Sequence, residues 1–163
     1  MVRWALIAAL VLVNALAGIP PFLSEDGGYL LRACSYSFFH ANWWHVAVNC
    51  LAAWTIFDPR RKNTAGQILS AYLIAVLVYP LSFRPVIGFS NVLYAMIGLR
   101  TPPLSSPWWK RGEVAVFLAV TIAMVLIPRF SATTHVAAFA LGIAGAYLHR
   151  AWLKFTEDAR RNY

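Results

Sequence analysis

The chain has 163 residues, of which 60% are hydrophobic and only 12% charged, against about 25% charged in typical soluble domains. A water-soluble fold could not hide that apolar load; abundant aromatics exclude disorder, and nine Gly, nine Pro and two Cys exclude collagen-like and disulfide-stapled scaffolds. The formal net charge of +8 lies in short clusters between apolar runs, with no basic helix face or aromatic-interleaved RNA motif, so it orients a membrane protein and does not bind nucleic acid.

A spanning helix needs about 20 apolar residues to cross a hydrocarbon core of about 30 Å. The first such run is 4–23, from Trp4 to Leu23, broken only by Asn14 and closed by Pro20-Pro21. Ala15-Leu16-Ala17 before Gly18 has the form of a signal-peptide cleavage site, but the run is read as a retained helix. The second and third runs are 38–57 and 67–83. The fourth helix, 90–104, is different: its apolar part, Ser90 to Leu99, has ten residues and reaches only about 15 Å. It is expected to begin at mid-membrane depth, where its first amide groups need partners inside protein or a water-filled cavity. The fifth and sixth runs are 113–128 and 134–153.

Six passes with both termini in the cytoplasm place Arg3, Arg60, Arg61, Lys62, Arg100, Lys110, Arg111, Arg150, Lys154, Arg160 and Arg161 inside. Only Arg32, Arg84 and Arg129 fall outside, as the positive-inside rule requires. Residues 1–163 then form one all-α membrane domain. With no internal repeat, a transporter built from inverted halves is not supported. Any chemistry belongs to side chains within or at the edge of the bundle.

The acids Glu25, Asp26, Asp58, Glu113, Glu157 and Asp158 all lie at loop or tail positions. That excludes a pair of intramembrane aspartates, and no H-E-x-x-H zinc motif occurs. His40, His45, Asn49, Ser90 and His135 remain in apolar surroundings, where polar groups read by default as functional. His45 and Asn49 are four apart and share a helix face. They are either interhelical hydrogen bonders worth about 1 kcal/mol each or parts of a site. Ser90 follows Gly88-Phe89 and opens the short helix. A serine there is most often an N-cap, yet a glycine turn and free first-turn amides are also the surroundings of a nucleophile beside an oxyanion hole. Tyr94 shares its face. His135 opens the last helix, and Ala138, Gly142 and Ala146, with Gly145 beside them, form a small-residue stripe that permits close helix approach. Approach to the Ser90 helix would bring the imidazole to the hydroxyl, giving a Ser-His dyad without a carboxylate. His40, His45, Cys34 and Cys50 match no closed metal site, and the two cysteines differ in expected depth, so no metal, cofactor or disulfide is expected.

Taken together, Arg32, His40-x4-His45-x3-Asn49, Gly88-Phe89-Ser90, Tyr94 and His135, each on its own helix or loop, resemble the rhomboid family of intramembrane serine proteases. The resemblance covers about residues 30 to 150 and implies a rhomboid-like bundle that hydrolyses peptide bonds in or near transmembrane segments of membrane-anchored proteins. It implies Ser90 as nucleophile and His135 as general base and then acid. His45, Asn49 and the Ser90 backbone N–H would stabilise the oxyanion, and Tyr94 would pack on His135. His40 and Arg32 would organise the outer loop, which carries Tyr29, Tyr36, Phe38, Phe39 and then Trp43-Trp44. The alternative is an inactive relative that binds transmembrane helices. The expected location is a bacterial inner membrane. The family's Gly-x-Ser-Gly reads Gly88-Phe89-Ser90-Asn91 here, so Asn91 either crowds its neighbours or adds a hydrogen bond. Ala138 stands where a glycine is common.

Overall fold

A computed structural model describes residues 2–17, 28–57, 65–82, 87–101 and 131–161, with isolated positions 112, 119, 121 and 122. Every regular element among them is helical: α1 (Val2–Ala17), α2 (Tyr29–Ser35), a 3-10 turn (Tyr36–Phe38), α3 (Trp43–Ile56), α4 (Ala65–Val78), a second 3-10 turn (Tyr79–Leu81), α5 (Ser90–Leu99) and α6 (Ala132–Arg161). The end of the first expected helix (18–23), the end of the fourth (102–104) and nearly all of the fifth (113–128) lie outside the described residues.

Four boundaries differ from the sequence reading by more than two residues, each for a local reason. The fourth expected helix, 90–104, ends at Leu99: Pro102-Pro103 follow, and the Arg100 and Thr101 N–H groups close the last turn on the Met96, Ile97 and Gly98 carbonyls. The second expected helix, 38–57, starts at Trp43 and not at 38. Asn42 takes extended backbone and accepts the His45 N–H on its side-chain oxygen at 2.9 Å, a preferred N-cap arrangement. His40 therefore lies ahead of α3 and not on it. The third, expected over 67–83, gives up α-helical geometry after Val78, because Pro80 brings no N–H and the chain tightens into the 3-10 turn. The last, expected to end at 153, continues to Arg161, since no Gly or Pro intervenes and Arg161 pairs with Glu157 one turn back at 2.5 Å.

The core lies around α5. Every residue from Asn91 to Gly98 is buried, which a ten-residue helix achieves only at the centre of a bundle. It packs chiefly against α6, then α4 and α3. The α5–α6 contact is made backbone to backbone. A Cβ added at Gly98 would run into the Phe139 carbonyl, and one at Gly142 into the Ala95 carbonyl, with the two glycines facing one another. The small-residue stripe of α6 is the reason the helices can come so near. On α4, Ala71, Ala75 and Val78 turn the buried face inward. At the far end of α5 from Ser90, Arg100 donates to the Ile56 carbonyl and Arg150 to the Thr101 carbonyl at 2.7 Å, closing helix C-termini that have no further turn to bond.

The outside of this bundle is apolar too. Leu16, Leu51, Leu77 and Leu148 are each more than two-thirds exposed on α1, α3, α4 and α6, a surface that water would not tolerate over four helices. Among the described residues, only Ala132–Arg161 is long and apolar enough by itself to cross a bilayer; Arg3–Ala17, Ala65–Leu81 and Ser90–Leu99 are shorter apolar helices.

Candidate active site

The turn into α5 is built on Gly88. Its φ of +121° is open to glycine and strained for other residues. Any side chain would also collide with the His45 ring, since a Cβ here would lie 2.7 Å from Cε1 and Nε2. One residue type thus satisfies two demands: the backbone reverses, and the imidazole of α3 lies against it. The Gly88 N–H donates to the Tyr36 carbonyl at 3.0 Å. Phe89 occupies the N-cap position without a side-chain cap, and its N–H points at His40 Nε2 at 3.3 Å. Ser90 is therefore released from the capping role that a serine at a helix start usually fills. It remains half-buried while Gly88, Phe89 and Asn91 around it are buried.

Ser90 Oγ lies 2.7 Å from Nε2 of His135. The other ring nitrogen, Nδ1, lies 2.6 Å from the Ser131 carbonyl, one turn earlier in the chain. A carbonyl can only accept, so Nδ1 carries the ring proton, and the neutral imidazole presents its Nε2 lone pair to the serine hydroxyl. That is the tautomer a base needs. The Tyr94 ring, one turn after Ser90, packs edge-on against His135 with centroids 4.7 Å apart and limits the swing of the imidazole.

The α3 groups lie against the Gly88 turn. Asn49 is buried and donates to the His45 carbonyl at 3.0 Å. An amide has two N–H donors, and its nitrogen lies 3.7 Å from where a Gly88 Cβ would be. The Ser90 N–H is a first-turn amide beyond the reach of any helical carbonyl. His45 and Asn49 thus lie against the glycine turn that leads into Ser90. His40 reaches the site indirectly. Its ring stands edge-on to His45 with centroids 4.9 Å apart, and its Nδ1 meets the Asn14 amide at 3.0 Å. Arg32 sits on α2, where its carbonyl receives the Tyr36 N–H.

Ser90, His135, His45, Asn49, Tyr94, Gly88 and His40 thus share one neighbourhood. The sequence reading missed two residues in it. Asn14 of α1 binds both the N–H (2.9 Å) and the ring of His40 and also the Phe38 carbonyl (3.1 Å); its signal was its position as the lone polar residue in the first apolar run. Tyr36 gave none, because in an aromatic loop it reads as an interfacial anchor. Cys34 and Cys50 are free thiols, and among the described residues no group of three or more His, Cys, Asp or Glu is placed to hold a metal ion.

A family model described as Rhomboid domain matches residues 27–152 of the chain. No curated protein matches it.

Proposed function

The chain belongs to the rhomboid family, whose members act on membrane proteins within the bilayer, and from this we propose that it is an active intramembrane serine protease of the Ser-His dyad type. It is an integral membrane protein. The bundle is read as a single domain of six spans with both termini cytoplasmic, in a bacterial inner membrane, and Ser90 opening below the outer surface.

In the proposed reaction Ser90 Oγ attacks the scissile carbonyl carbon of a substrate segment unwound near its membrane end, and His135 Nε2 takes the hydroxyl proton. The oxyanion is held by the Ser90 N–H, the Asn49 amide and His45. The imidazolium returns its proton to the departing amine, leaving an acyl-serine. A water entering from the outer side gives a proton to Nε2 and attacks the acyl carbon; as the acyl C–O bond breaks, the imidazolium returns that proton to Ser90 Oγ, and the new carboxylic acid leaves and ionises in water. Small or helix-breaking residues in the substrate favour this, since a helical peptide bond is shielded by its own hydrogen bonding.

The observation that carries the reading is the 2.7 Å Oγ–Nε2 contact on an imidazole whose other nitrogen is anchored to a carbonyl. In full-length protein reconstituted in liposomes, Ser90→Ala should reduce cleavage of a membrane-anchored reporter by orders of magnitude, and a fluorophosphonate should label Ser90 in the wild type but not in His135→Ala. Cleavage that survives Ser90→Ala would end the proposal. A wild type inert to both probes would place the chain among non-catalytic binders of transmembrane helices.

A further inference from the structure

The residue after the nucleophile departs from the family pattern, and its side chain is fully buried. Asn91 does not crowd its surroundings. Its amide nitrogen lies 2.9 Å from the Tyr36 hydroxyl, and that hydroxyl lies 2.8 Å from the Ala75 carbonyl of α4. The direction of both bonds is fixed. The carbonyl can only accept, so the phenol spends its proton there and must accept from Asn91. The Asn91 oxygen has no hydrogen-bond partner among the described residues, so the amide is held for its donor alone. Tyr36 is itself immobilised: it is fully buried, with its ring centroid 5.0 Å from that of Tyr79.

Tyr36 also accepts the Gly88 N–H on its backbone carbonyl at 3.0 Å. It therefore holds the nucleophile turn on both sides, through backbone at Gly88 and through side chain at Asn91, with Phe89 and Ser90 between. Neither contact touches Ser90 Oγ or His135. We infer that Asn91 and Tyr36 form a positioning pair that fixes where α5 presents Ser90 to His135, replacing the freedom of a glycine with a tether from the outer loop to α4. The inference rests on the serine-protease reading. The bracket runs from the outer-leaflet loop through the phenol to α4, so the aim of Ser90 is set by a neighbour, and not by the α5–α6 contact alone. Restoring glycine at 91 should then lower activity, not raise it.

The test uses the full-length chain in liposomes, with Asn91→Gly, Asn91→Ala, Tyr36→Phe and the double variant Asn91→Gly/Tyr36→Phe. It reads the fluorophosphonate labelling rate, kcat and KM on a membrane-anchored reporter, and the melting temperature. Losing one hydrogen bond that aims the nucleophile should lower labelling and kcat about tenfold, with KM within about twofold. The double variant should be no slower than the slower single one, because both break the same contact. A purely structural role would lower the melting temperature while leaving kcat near that of the wild type. Wild-type rates in Asn91→Gly, or losses that multiply in the double variant, overturn the inference while the protease reading stands. A wild type that does not label overturns both. Should Tyr36→Phe fail to fold, Asn91→Gly carries the test, since it removes the donor without adding bulk.

Discussion

The α5–α6 contact offers the sharpest link between packing and chemistry. In Gly142→Ala the new Cβ would lie 3.0 Å from the Gly98 Cα and the Leu99 backbone nitrogen, and closer still to the Ala95 carbonyl oxygen. Non-bonded heavy atoms settle at about 3.5–4.0 Å. All three obstacles are backbone, so the helices themselves must part, by about 1 Å on this comparison. Ser90 precedes Gly98, and His135 precedes Gly142, by about 10–12 Å along the same two helices, short enough for rigid rods to carry the displacement. The Oγ–Nε2 distance of 2.7 Å would then open to about 3.7 Å, past the reach of a catalytic hydrogen bond. A displacement of that size costs about 100-fold in rate, and the overpacking about 1–3 kcal/mol in stability. Fluorophosphonate labelling and reporter cleavage of the reconstituted protein measure the first, and a melting curve in detergent the second. Gly145→Ala is the matched control. Its Cβ would meet only the tip of Leu99 at 3.3 Å, a side chain that can turn aside, so it should stay within about twofold of wild type. Equal loss in both variants, or a well-folded Gly142→Ala that labels at the wild-type rate, would refute the account.

Gly88→Ala should fold less stably and lose labelling by about 100-fold or more. The positive φ and the His45 ring 2.7 Å from the new Cβ cannot both be kept, and an unaltered rate would count against the placement of His45 at the turn. Asn14→Ala leaves the His40 N–H without its partner and takes one donor from the Phe38 carbonyl, which should destabilise the protein by about 1–3 kcal/mol, read as a lower melting temperature; no change would mean water substitutes freely. Tyr94→Phe keeps the ring against His135 and should stay within about threefold of wild type, whereas Tyr94→Ala should fall about tenfold. Similar losses in the two would place the role in the hydroxyl.

Much of the site was legible because membrane insertion makes polar residues conspicuous. Ser90, His135, His45 and Asn49 stand out among apolar neighbours, and the spacing of Ala138, Gly142 and Ala146 forecast which face of α6 meets α5. The half-length of α5 could be read from its apolar run, since a ten-residue helix cannot bury itself except among others. The start of α3 was obscured because Phe38, Phe39, Trp43 and Trp44 continue the apolar pattern across it; the signal was Asn42, whose capping bond is visible only once the backbone is known. The length of α6 was underestimated for the opposite reason: hydropathy falls near Leu153, but helix propensity does not. The bonds of Asn14 to His40 and of Asn91 to Tyr36 join positions far apart in sequence, and no periodicity encodes such partners.

Among the described residues the only acids, Glu157 and Asp158, lie at the far end of α6 from His135, and for the proposed dyad that has a physical meaning. A carboxylate beside His135, itself buried, would have to be stripped of water next to a helix buried from Asn91 to Gly98, at a cost of several kcal/mol even when partly compensated. The Ser131 carbonyl fixes the same tautomer with a group the chain already owns, because an N–H donated to a residue one turn back needs no buried charge. What it gives up is the full countercharge for the imidazolium that the proposed reaction forms. In the proposed reaction the dyad would thereby exchange electrostatic strength for a site that survives in a bilayer. Orientation would then have to supply more of the rate, and orientation is what Gly88, the α5–α6 glycine contact and the Tyr36 bracket have in common.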